Sequence, residues 1–521
     1  MKLSVSSVIP QNPVFLWLWI TLLVWWSGLA GRDLFLVPAL IFVGIYTYQI
    51  RNKQPSIITT KWTNSSYAKR WLISLFLVHV VLNLAITILK YYSFRWNVWD
   101  VGSYSNMLYN ISQGRFYSSY LGTHNWGDHF SPSMSPLALF YLWFPSTHWV
   151  TLAKTVAYLS VPLLIHKICK ESFQNKEQAW SVTVILGAAW MLFYAPALNS
   201  LYYEFQPSAL APPFILYAFL CFQRKLWLRF WFTMIVILGF KENLGAVWIG
   251  FGCFMVLATP NKKMGFFLIS GGIISIYLIM FHVMPYFRNF EESWSMPVGP
   301  FQDIPGKLIY LFKILIPLGF LPLIFWRFGI IAGPAIGVNL LSSGPKMYST
   351  SYHYDDIPST LLMVAMVLIV SSGSFNLRFW GEKKAGQWLL AGWIVCVLIL
   401  LPSSPMRELY ASIPDKLHRV IRKELIEFDQ FSKGEPIAVQ TSLGPQFNRT
   451  NILAITQDSN GNCAPMRRDL LVAETKYLVF AKSLNHYLIE DLEQCLKKIN
   501  LSKDYEILHA YQNLHIYKKI N

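Results

Sequence analysis

The sequence predicts an α-helical polytopic membrane protein with about 13 transmembrane helices and a small C-terminal α/β domain. Three observations predict this class. Hydrophobic residues make up 54% of the chain and charged residues only 14%, whereas soluble proteins carry roughly 25% charged residues. Apolar runs of about 20 residues, long enough to cross a hydrocarbon layer of about 30 Å, recur along the chain. The 21 Trp and 27 Tyr fit aromatic belts at the membrane interface.

The apolar runs place the predicted spans in order. The first run follows Lys2 without a small-residue cleavage site, so we expect a retained helix and not a cleaved signal peptide. The segment 131–146 is apolar but interrupted by three prolines, which favours a helix lying in the interface or re-entering the membrane. The predicted spans are 14–31, 34–50, 71–92, 147–166, 179–197, 208–222, 228–240, 244–259, 264–284, 307–325, 328–343, 357–371 and 387–402.

Basic residues are concentrated in every second connecting segment, as the positive-inside rule requires. With these segments inside, the long loop 93–146 and the tail from residue 403 lie outside a plasma (inner) membrane. The net charge of +17 is therefore interpreted as topology, and we expect no nucleic-acid partner. The basic segments are 51–70, 167–177, 223–229, 260–263 and 372–386.

Three regions follow from this pattern. Residues 1–70 form an N-terminal transmembrane hairpin with a basic cytoplasmic loop, 71–402 form the membrane core, and 403–521 form a soluble extracytoplasmic α/β domain. Cys463 and Cys495 lie in the last region, where they either form a disulfide or remain two free thiols. In that region we predict helices at 406–431 and 487–500, and strands at 436–441, 476–480 and 514–518.

The outer loop 93–146 gathers ionisable residues in a chain that has few of them. Asp100 either acts as a base or cation ligand, or caps a helix that begins near Ser103. His124, Asp128 and His129 supply imidazoles and a carboxylate. Such groups suit Mg²⁺, Mn²⁺ or Zn²⁺, or they hydrogen-bond within a loop that packs on the membrane face.

Further candidates lie where spans turn into one another. Glu204, Lys241 and Glu242 lie near membrane depth, where charges are functional by default. Lys241 and Glu242 either neutralise each other, or Lys241 binds a phosphate group next to the Glu242 carboxylate. Asp355 and Asp356 precede a helix start and favour a helix-dipole role, which leaves His353 and Tyr354 as the better site candidates on that loop.

Four stretches resemble a known family, the bacterial predicted membrane proteins described as domain of unknown function 2079. The resemblance runs from about residue 75 to 370, and its most specific part is GDHFSP. This family tends to have His where Gln206 stands, an acid where Ser208 stands, and Asp where Asn243 stands. The stretches are WDVGSYSNMLYNISQGRFYSS, GDHFSPSMSPLALFYLWFPS, YEFQPSALAPPFILYAF and the Lys-Glu of GFKENLG.

That family is similar, at a distance, to the C-type glycosyltransferases, polytopic enzymes that take a sugar from a polyprenyl-phosphate carrier on the outer face. The resemblance implies that Asp100 is the catalytic base or metal partner. It also implies that Asp128, His129 and Glu242 shape the site or hold a divalent cation, Mg²⁺ or Mn²⁺. Lys241 or Arg115 would then face the phosphate. The substrate-binding candidates are Asp128, His129, His124, Arg115, Glu204, Lys241, Glu242, His353 and Tyr354.

The expected activity is therefore transfer of a sugar from a polyprenyl-phosphate donor, in the lipid bilayer, to an envelope glycan, lipid or protein. The alternative is a membrane transporter or flippase of a lipid-linked substrate, whose outer acids and histidines relay protons or bind the substrate. Transporters commonly contain internal repeats, and the sequence has no clear repeat. A scaffold for other envelope proteins is a third reading, and it predicts no effect of single acidic substitutions.

Overall fold

The computed structural model describes residues 66–288, 298–372, 405–432, 434–448, 450–466, 475–502, 504–508 and 513–520. The predicted spans 14–31, 34–50 and 387–402 lie outside the described residues. The helices between residues 66 and 371 are α1 (Ser66–Tyr92), α2 (Ser103–Ser112), α3 (Ala138–Trp143), α4 (His148–Ser172), α5 (Lys176–Ala188), α6 (Ala195–Tyr202), α7 (Ala211–Gln223), α8 (Trp227–Leu238), α9 (Gly245–Ala258), α10 (Lys262–Leu278), α11 (Ile304–Leu315), α12 (Gly333–Leu341) and α13 (Asp356–Ser371), with single-turn helices between some of them.

The described chain is mostly helical, with several strongly apolar helices. Three stretches are long and apolar enough to cross a membrane: His148–Ser172, Lys262–Phe287 and His353–Ser371. A bent pair, Gln178–Leu192 with Ala195–Tyr202, adds a fourth if it is one span. The remaining apolar helices are shorter than a full crossing, so the described residues do not confirm the predicted count of about 13.

The predicted span 307–325 is wrong as a continuous helix, whereas the predicted span 328–343 falls on the continuous helical stretch Trp326–Leu341. Helix α11 ends at Leu315, and Gly319 and Phe320 then adopt left-handed backbone conformations with φ of 59° and 55°. Pro317 and Pro322 flank this break, and proline lacks the N–H that continues a helix. The chain resumes as short helical pieces before α12, so the apolar composition alone did not reveal the break.

The segment 131–146 forms a 3₁₀ helix, Pro132–Leu137, followed by α3. Leu139, Leu142, Trp143 and Phe144 on and after α3 are between 60% and 81% exposed. A short helix that exposes large apolar side chains beside a loop fits the predicted interfacial position.

Two short strands, β1 (Tyr117–Ser118) and β2 (Thr123–His124), pair within the loop 93–146. The strands of the C-terminal region are β3 (Ile437–Val439), β4 (Ile452–Gln457), β5 (Cys463–Pro465), β6 (Tyr477–Phe480), β7 (Tyr505–Leu508) and β8 (His515–Lys519). They form one six-stranded sheet with the order β5-β4-β3-β6-β8-β7. Strands β4, β3 and β6 are parallel, and the outer pairings are antiparallel. Alternate side chains of β3 pack in two separate hydrophobic cores, one on each face of the sheet, and each core includes residues of a helix. Helices therefore cover both faces of the sheet. The helices of this region are α14 (Pro405–Ser412), α15 (Lys416–Ser432) and α16 (Leu492–Leu501).

The predicted helix at 406–431 is divided into α14 and α15, and Pro414 lies in the break between them. The three predicted strands correspond to β3, β6 and β8, and the predicted helix 487–500 corresponds to α16. Strands β4, β5 and β7 were not predicted.

A disulfide joins Cys463 of β5 to Cys495 of α16. Disulfides persist in extracytoplasmic compartments and are rare in the cytosol.

If this region lies outside, as the charge pattern predicts, protein denatured directly from membranes should expose two more thiols after reduction than before. Labelling with a maleimide-polyethylene glycol, read as a gel shift, measures this difference. Equal labelling with and without reduction would contradict the outer location.

Candidate active site

Asp100 lies in a single π-helical turn, Val98–Gly102, which leads directly into α2. Its carboxylate does not cap α2, because the N-cap residue is Gly102 and no side chain caps this helix end. Instead, Gln206 Nε2 donates a hydrogen bond to Oδ1 of Asp100, and the Tyr203 hydroxyl also hydrogen-bonds the carboxylate. The Asp100 residue is partly exposed. Since isolated π turns occur frequently at functional sites, this geometry favours the functional interpretation over the capping one.

Gln206 connects Asp100 to Lys241. Its Oε1 accepts a hydrogen bond from Nζ of Lys241 at 3.4 Å and one from the Tyr104 hydroxyl at 3.3 Å. Lys241 is only 6% exposed, and its ammonium lies 5.8 Å from the centroid of the Tyr354 ring. Within the described parts of the chain, no carboxylate lies within ion-pair distance of Lys241. Glu242 therefore forms no ion pair with Lys241, although this pair was one of the two predicted alternatives.

Glu242 pairs with His129 instead. Its Oε1 lies 2.9 Å from Nδ1 of His129, and its Oε2 accepts from the Phe130 amide at 3.3 Å. Asp128 lies farther away, with Oδ2 3.9 Å from Nε2 of His129. Burial alone would lower the pKa of His129, but the charge of Glu242 raises this pKa above its ordinary value. The Glu242 carboxylate thus favours the charged form of His129, against burial and the charge of Lys241.

The proposed cation ligands Asp128, His129 and Glu242 do not form a metal-binding set. Among the described residues, no group of three or more His, Cys, Asp and Glu side chains is placed to hold a metal ion. Both oxygens of Glu242 are already engaged by His129 and the Phe130 amide. We therefore derive no step through Mg²⁺ or Mn²⁺.

Glu204 lies on the other side of Asp100. It accepts hydrogen bonds from the backbone N–H of Asn97 at 3.1 Å and from its Nδ2 at 2.6 Å. Burial, and next the negative charge of Asp100, raise the pKa of Glu204 to about 7. Burial likewise raises the pKa of Asp100 above its ordinary value, against the hydrogen bond from Gln206. The two carboxyls therefore form a pair in which both groups are charged only near or above neutral pH.

Two buried lysines hold the backbone that carries Glu204. Lys154 donates to the carbonyl oxygens of Tyr203 and Glu204 at 2.5 and 3.1 Å. Lys90 donates to the carbonyl of Tyr202 at 2.6 Å and pairs with Glu408 at 3.0 Å. Both ammonium groups thus fix the position of the segment 202–204.

Lys90, Lys154 and the central position of Gln206 were not predicted from the sequence. A signal for Lys154 was present, because it is the one lysine within the predicted span 147–166, and a charge at membrane depth is costly and functional by default. A signal for Gln206 was also present, since this position departs from the His that the similar family tends to have.

His353 and Tyr354 lie next to the residues around Asp100, because the His353 ring packs against Tyr203, which hydrogen-bonds Asp100. The His353 ring lies 5.2 Å from that of Tyr203 and 4.1 Å from that of Tyr354. His353 is 5% exposed, and neither of its ring nitrogens has a hydrogen-bond partner among the described residues. An imidazole buried in this way has a donor and an acceptor available for a bound molecule.

Asp355 and Asp356 begin α13, but their carboxylates are buried and no side chain caps this helix. Asp355 accepts from the Tyr310 hydroxyl at 2.7 Å. Asp356 accepts from Tyr158 and, at 2.9 Å, from Ser208. A helix-start role alone does not account for these bonds, which tie α13 to α4 and to the segment before α7.

The structure does not bring His124 and Arg115 into the Asp100 group. His124 stacks on Phe287 with ring centroids 4.3 Å apart, and its Nδ1 accepts from the Trp126 amide at 3.2 Å. Arg115 lies in an exposed turn before β1 (Tyr117–Ser118), and within the described chain no side-chain contact joins it to Asp100. The prediction that Arg115 faces the phosphate therefore loses its geometric basis, and the contacts of His124 are those of an aromatic cluster.

Comparison with known proteins gives one family. The model of a family described as predicted membrane protein (DUF2079) matches residues 90–419, which is more than half of the chain and includes Asp100, Gln206 and Lys241. No curated protein matches the chain. Among solved structures, the chain is similar to ArnT from Cupriavidus metallidurans, crystallised with undecaprenyl phosphate. The two are 10% identical with a TM-score of 0.49, and the match covers 86% of this chain and 98% of that chain.

Proposed function

Because the chain belongs to the family of predicted membrane proteins described as DUF2079, and its motifs resemble distantly the C-type glycosyltransferases, we propose a membrane glycosyltransferase. It would transfer a sugar from a polyprenyl-phosphate donor to an envelope acceptor on the outer face. The observation that carries the proposal is the connection, through Gln206, of a partly exposed carboxylate, Asp100, to a buried lysine, Lys241, that has no carboxylate within ion-pair distance among the described residues.

The two groups suit the two halves of the transfer. The acceptor hydroxyl gives its proton to the Asp100 carboxylate as its oxygen forms a bond to the anomeric carbon of the sugar. The bond between that carbon and the phosphate oxygen breaks, and the lipid phosphate leaves with the electron pair. Lys241 stabilises the charge that gathers on this phosphate, and a low-dielectric site increases the effect.

Other residues of the group support the same assignment. His129, whose charged form Glu242 favours, would add a second positive charge near Lys241 when it is protonated. The buried nitrogens of His353 supply a hydrogen-bond donor for a phosphate oxygen. The rings of Tyr203 and Tyr354 lie beside His353, and Tyr203 also hydrogen-bonds Asp100, so that these rings would offer apolar faces to a sugar bound there.

Purified protein in lipid nanodiscs, given a series of polyprenyl-phosphate sugars, tests the proposal. We expect release of polyprenyl phosphate from at least one donor. If folded wild-type protein cleaves none of them, glycosyl transfer is refuted. Movement of an intact lipid-linked sugar across a vesicle membrane, without cleavage, would instead support the flippase alternative.

The Asp100–Glu204 pair predicts the pH dependence. Asp100 accepts a proton only when it is charged, so the transfer rate should fall as pH drops through its raised pKa. Glu204→Gln removes a neighbouring negative charge, lets Asp100 ionise at lower pH, and should move the acidic limb of kcat/KM down by about 1 pH unit. Pre-steady-state or initial-rate pH profiles measure this limb.

A matched control for this variant is Glu435→Gln. Glu435 pairs with Lys476 at 2.9 Å in the C-terminal sheet and is exposed. We expect its pH profile to coincide with that of the wild type. An acidic limb that stays in place, or moves upward, in Glu204→Gln would contradict the coupling of Glu204 to Asp100.

A further inference from the structure

A segment of the C-terminal sheet region lies directly against the turn that carries Asp100. We call residues 441–448 and 450 the docking segment. Thr441, Ser442 and Leu443 are fully buried there. The backbone carbonyls of the segment accept hydrogen bonds from the outer loop: from the Val98 amide to Thr441 at 3.0 Å, from the Tyr120 hydroxyl to Gly444 at 3.2 Å, from the Thr147 hydroxyl to Pro445 at 2.6 Å, and from the Ser119 hydroxyl to Thr450.

The outer loop and the C-terminal region also share one hydrophobic core. Phe94, Val98 and Tyr120 of the loop pack in the same buried cluster as Leu443 and Phe447 of the docking segment. Val98 has no exposed surface and stands two residues before Asp100. Val98, the first residue of the π-helical turn Val98–Gly102 that carries Asp100, is therefore a core residue of the C-terminal sheet region.

Gly444 leaves no room for a side chain at this contact. A Cβ atom built on Gly444 would lie 2.2 Å from Cγ2 of Val98 and 2.8 Å from the Tyr120 hydroxyl. The φ angle of Gly444 is not positive, so glycine is required here for space and not for backbone conformation. A methyl group at this position must displace either Val98 or the segment itself.

Gly102, at the other end of this π-helical turn, lies close to the docking segment. A Cβ atom built on Gly102 would lie 3.5 Å from Cδ and Cγ of Pro445, which is ordinary van der Waals contact. The opposite side of the turn is held by the hydrogen bonds from Asn97 to Glu204. An isolated π turn is a rare conformation that persists where its surroundings determine it, and here the surroundings come from both regions of the chain.

We propose that the docking segment positions Asp100, so that the C-terminal region completes the active site of the membrane core. Gly444 and the carbonyl of Thr441 are positioning groups that act through Val98. The catalytic consequence rests on the proposed function, whereas the restraint on the turn does not. Catalytic groups must be held within about 0.5 Å of the productive geometry, and this packing supplies that precision.

Gly444→Ala, compared with Gly434→Ala, tests the proposal. Gly434 lies in the same region with φ of 79° and nothing within 4 Å of a built Cβ, so alanine strains the backbone there without reaching the loop. In Gly444→Ala we expect hydrogen exchange of the Val98 amide to rise at least about tenfold, and kcat to fall about 100-fold. The donor KM should change little. Gly434→Ala should show wild-type exchange at Val98 and wild-type kcat.

The two readouts separate this inference from the proposed function. Unchanged exchange at Val98 in Gly444→Ala overturns the inference, and so does raised exchange with unchanged turnover. If the wild type transfers no sugar, the proposed function fails, and exchange at Val98 alone decides whether the segment holds the turn. If Gly444→Ala does not fold, Tyr120→Phe removes one hydrogen bond to the segment and should raise the exchange about fivefold. No rise in that variant overturns the inference.

Discussion

Asp100→Asn should lower kcat for sugar transfer by about 10³-fold, within the range typical for loss of a general base. Asparagine has the same shape and keeps an oxygen that accepts the hydrogen bond from Gln206, so the turn should keep its position. What the variant loses is the ability to take the proton of the acceptor hydroxyl. Initial rates at saturating donor, with melting temperature and donor binding measured on the same preparation, separate a chemical effect from misfolding.

Asp128→Asn is the matched control in the same loop. The Asp128 side chain is 30% exposed and its Oδ2 lies 3.9 Å from Nε2 of His129, so this contact is long and partly solvated. Exposed pairs of this kind contribute about 0–1 kcal/mol, and we expect less than about a tenfold change in rate. Full retention of turnover in Asp100→Asn, or an equal loss in both variants, would remove Asp100 from the role of base.

The helices of the membrane core were largely predictable because a span must be apolar over its whole length, and that signal is written in consecutive residues. The break at Gly319 and Phe320 was not, because the residues on either side remain apolar. In the C-terminal region, β3, β6 and β8 were predicted from their runs of apolar residues. Strand β4 is equally apolar in part, but its pairing with β3 depends on residues far apart in the sequence.

The candidate site was predictable only where a charge stood out from an apolar background. Asp100, Glu204, Lys241 and Glu242 satisfied that condition. Gln206 joins Asp100 to Lys241, whereas Glu204 binds Asn97 and Glu242 binds His129. The pairing of Glu242 with His129, and not with its neighbour Lys241, could not be predicted because sequence adjacency says nothing about side-chain direction. Contacts between Val98 and Thr441 likewise join positions that no local pattern relates.

Lys241→Met should lower kcat/KM by about 10²- to 10³-fold, as expected when one group that stabilises transition-state charge is removed. It should also leave the melting temperature unchanged or raise it. Lys241 is buried, and in the described structure it faces no carboxylate within ion-pair distance, so its charge costs stability that an apolar chain of similar length recovers. Methionine keeps the unbranched shape, and the measurement needs steady-state kinetics and thermal unfolding of one preparation.

Lys154→Met is the matched control for this prediction, because Lys154 is 3% exposed and Lys241 is 6% exposed. Its ammonium donates to the carbonyls of Tyr203 and Glu204, and its loss leaves buried acceptors without donors, at a cost of about 1–3 kcal/mol. Lys154→Met should therefore unfold at lower temperature, whereas Lys241→Met should not. This contrast is what the proposed function predicts, because the anionic partner of Lys241 would then be the phosphate of the bound donor and not a side chain of the protein. If Lys241→Met destabilised the protein as Lys154→Met does, Lys241 would be a structural residue and the phosphate assignment would fail.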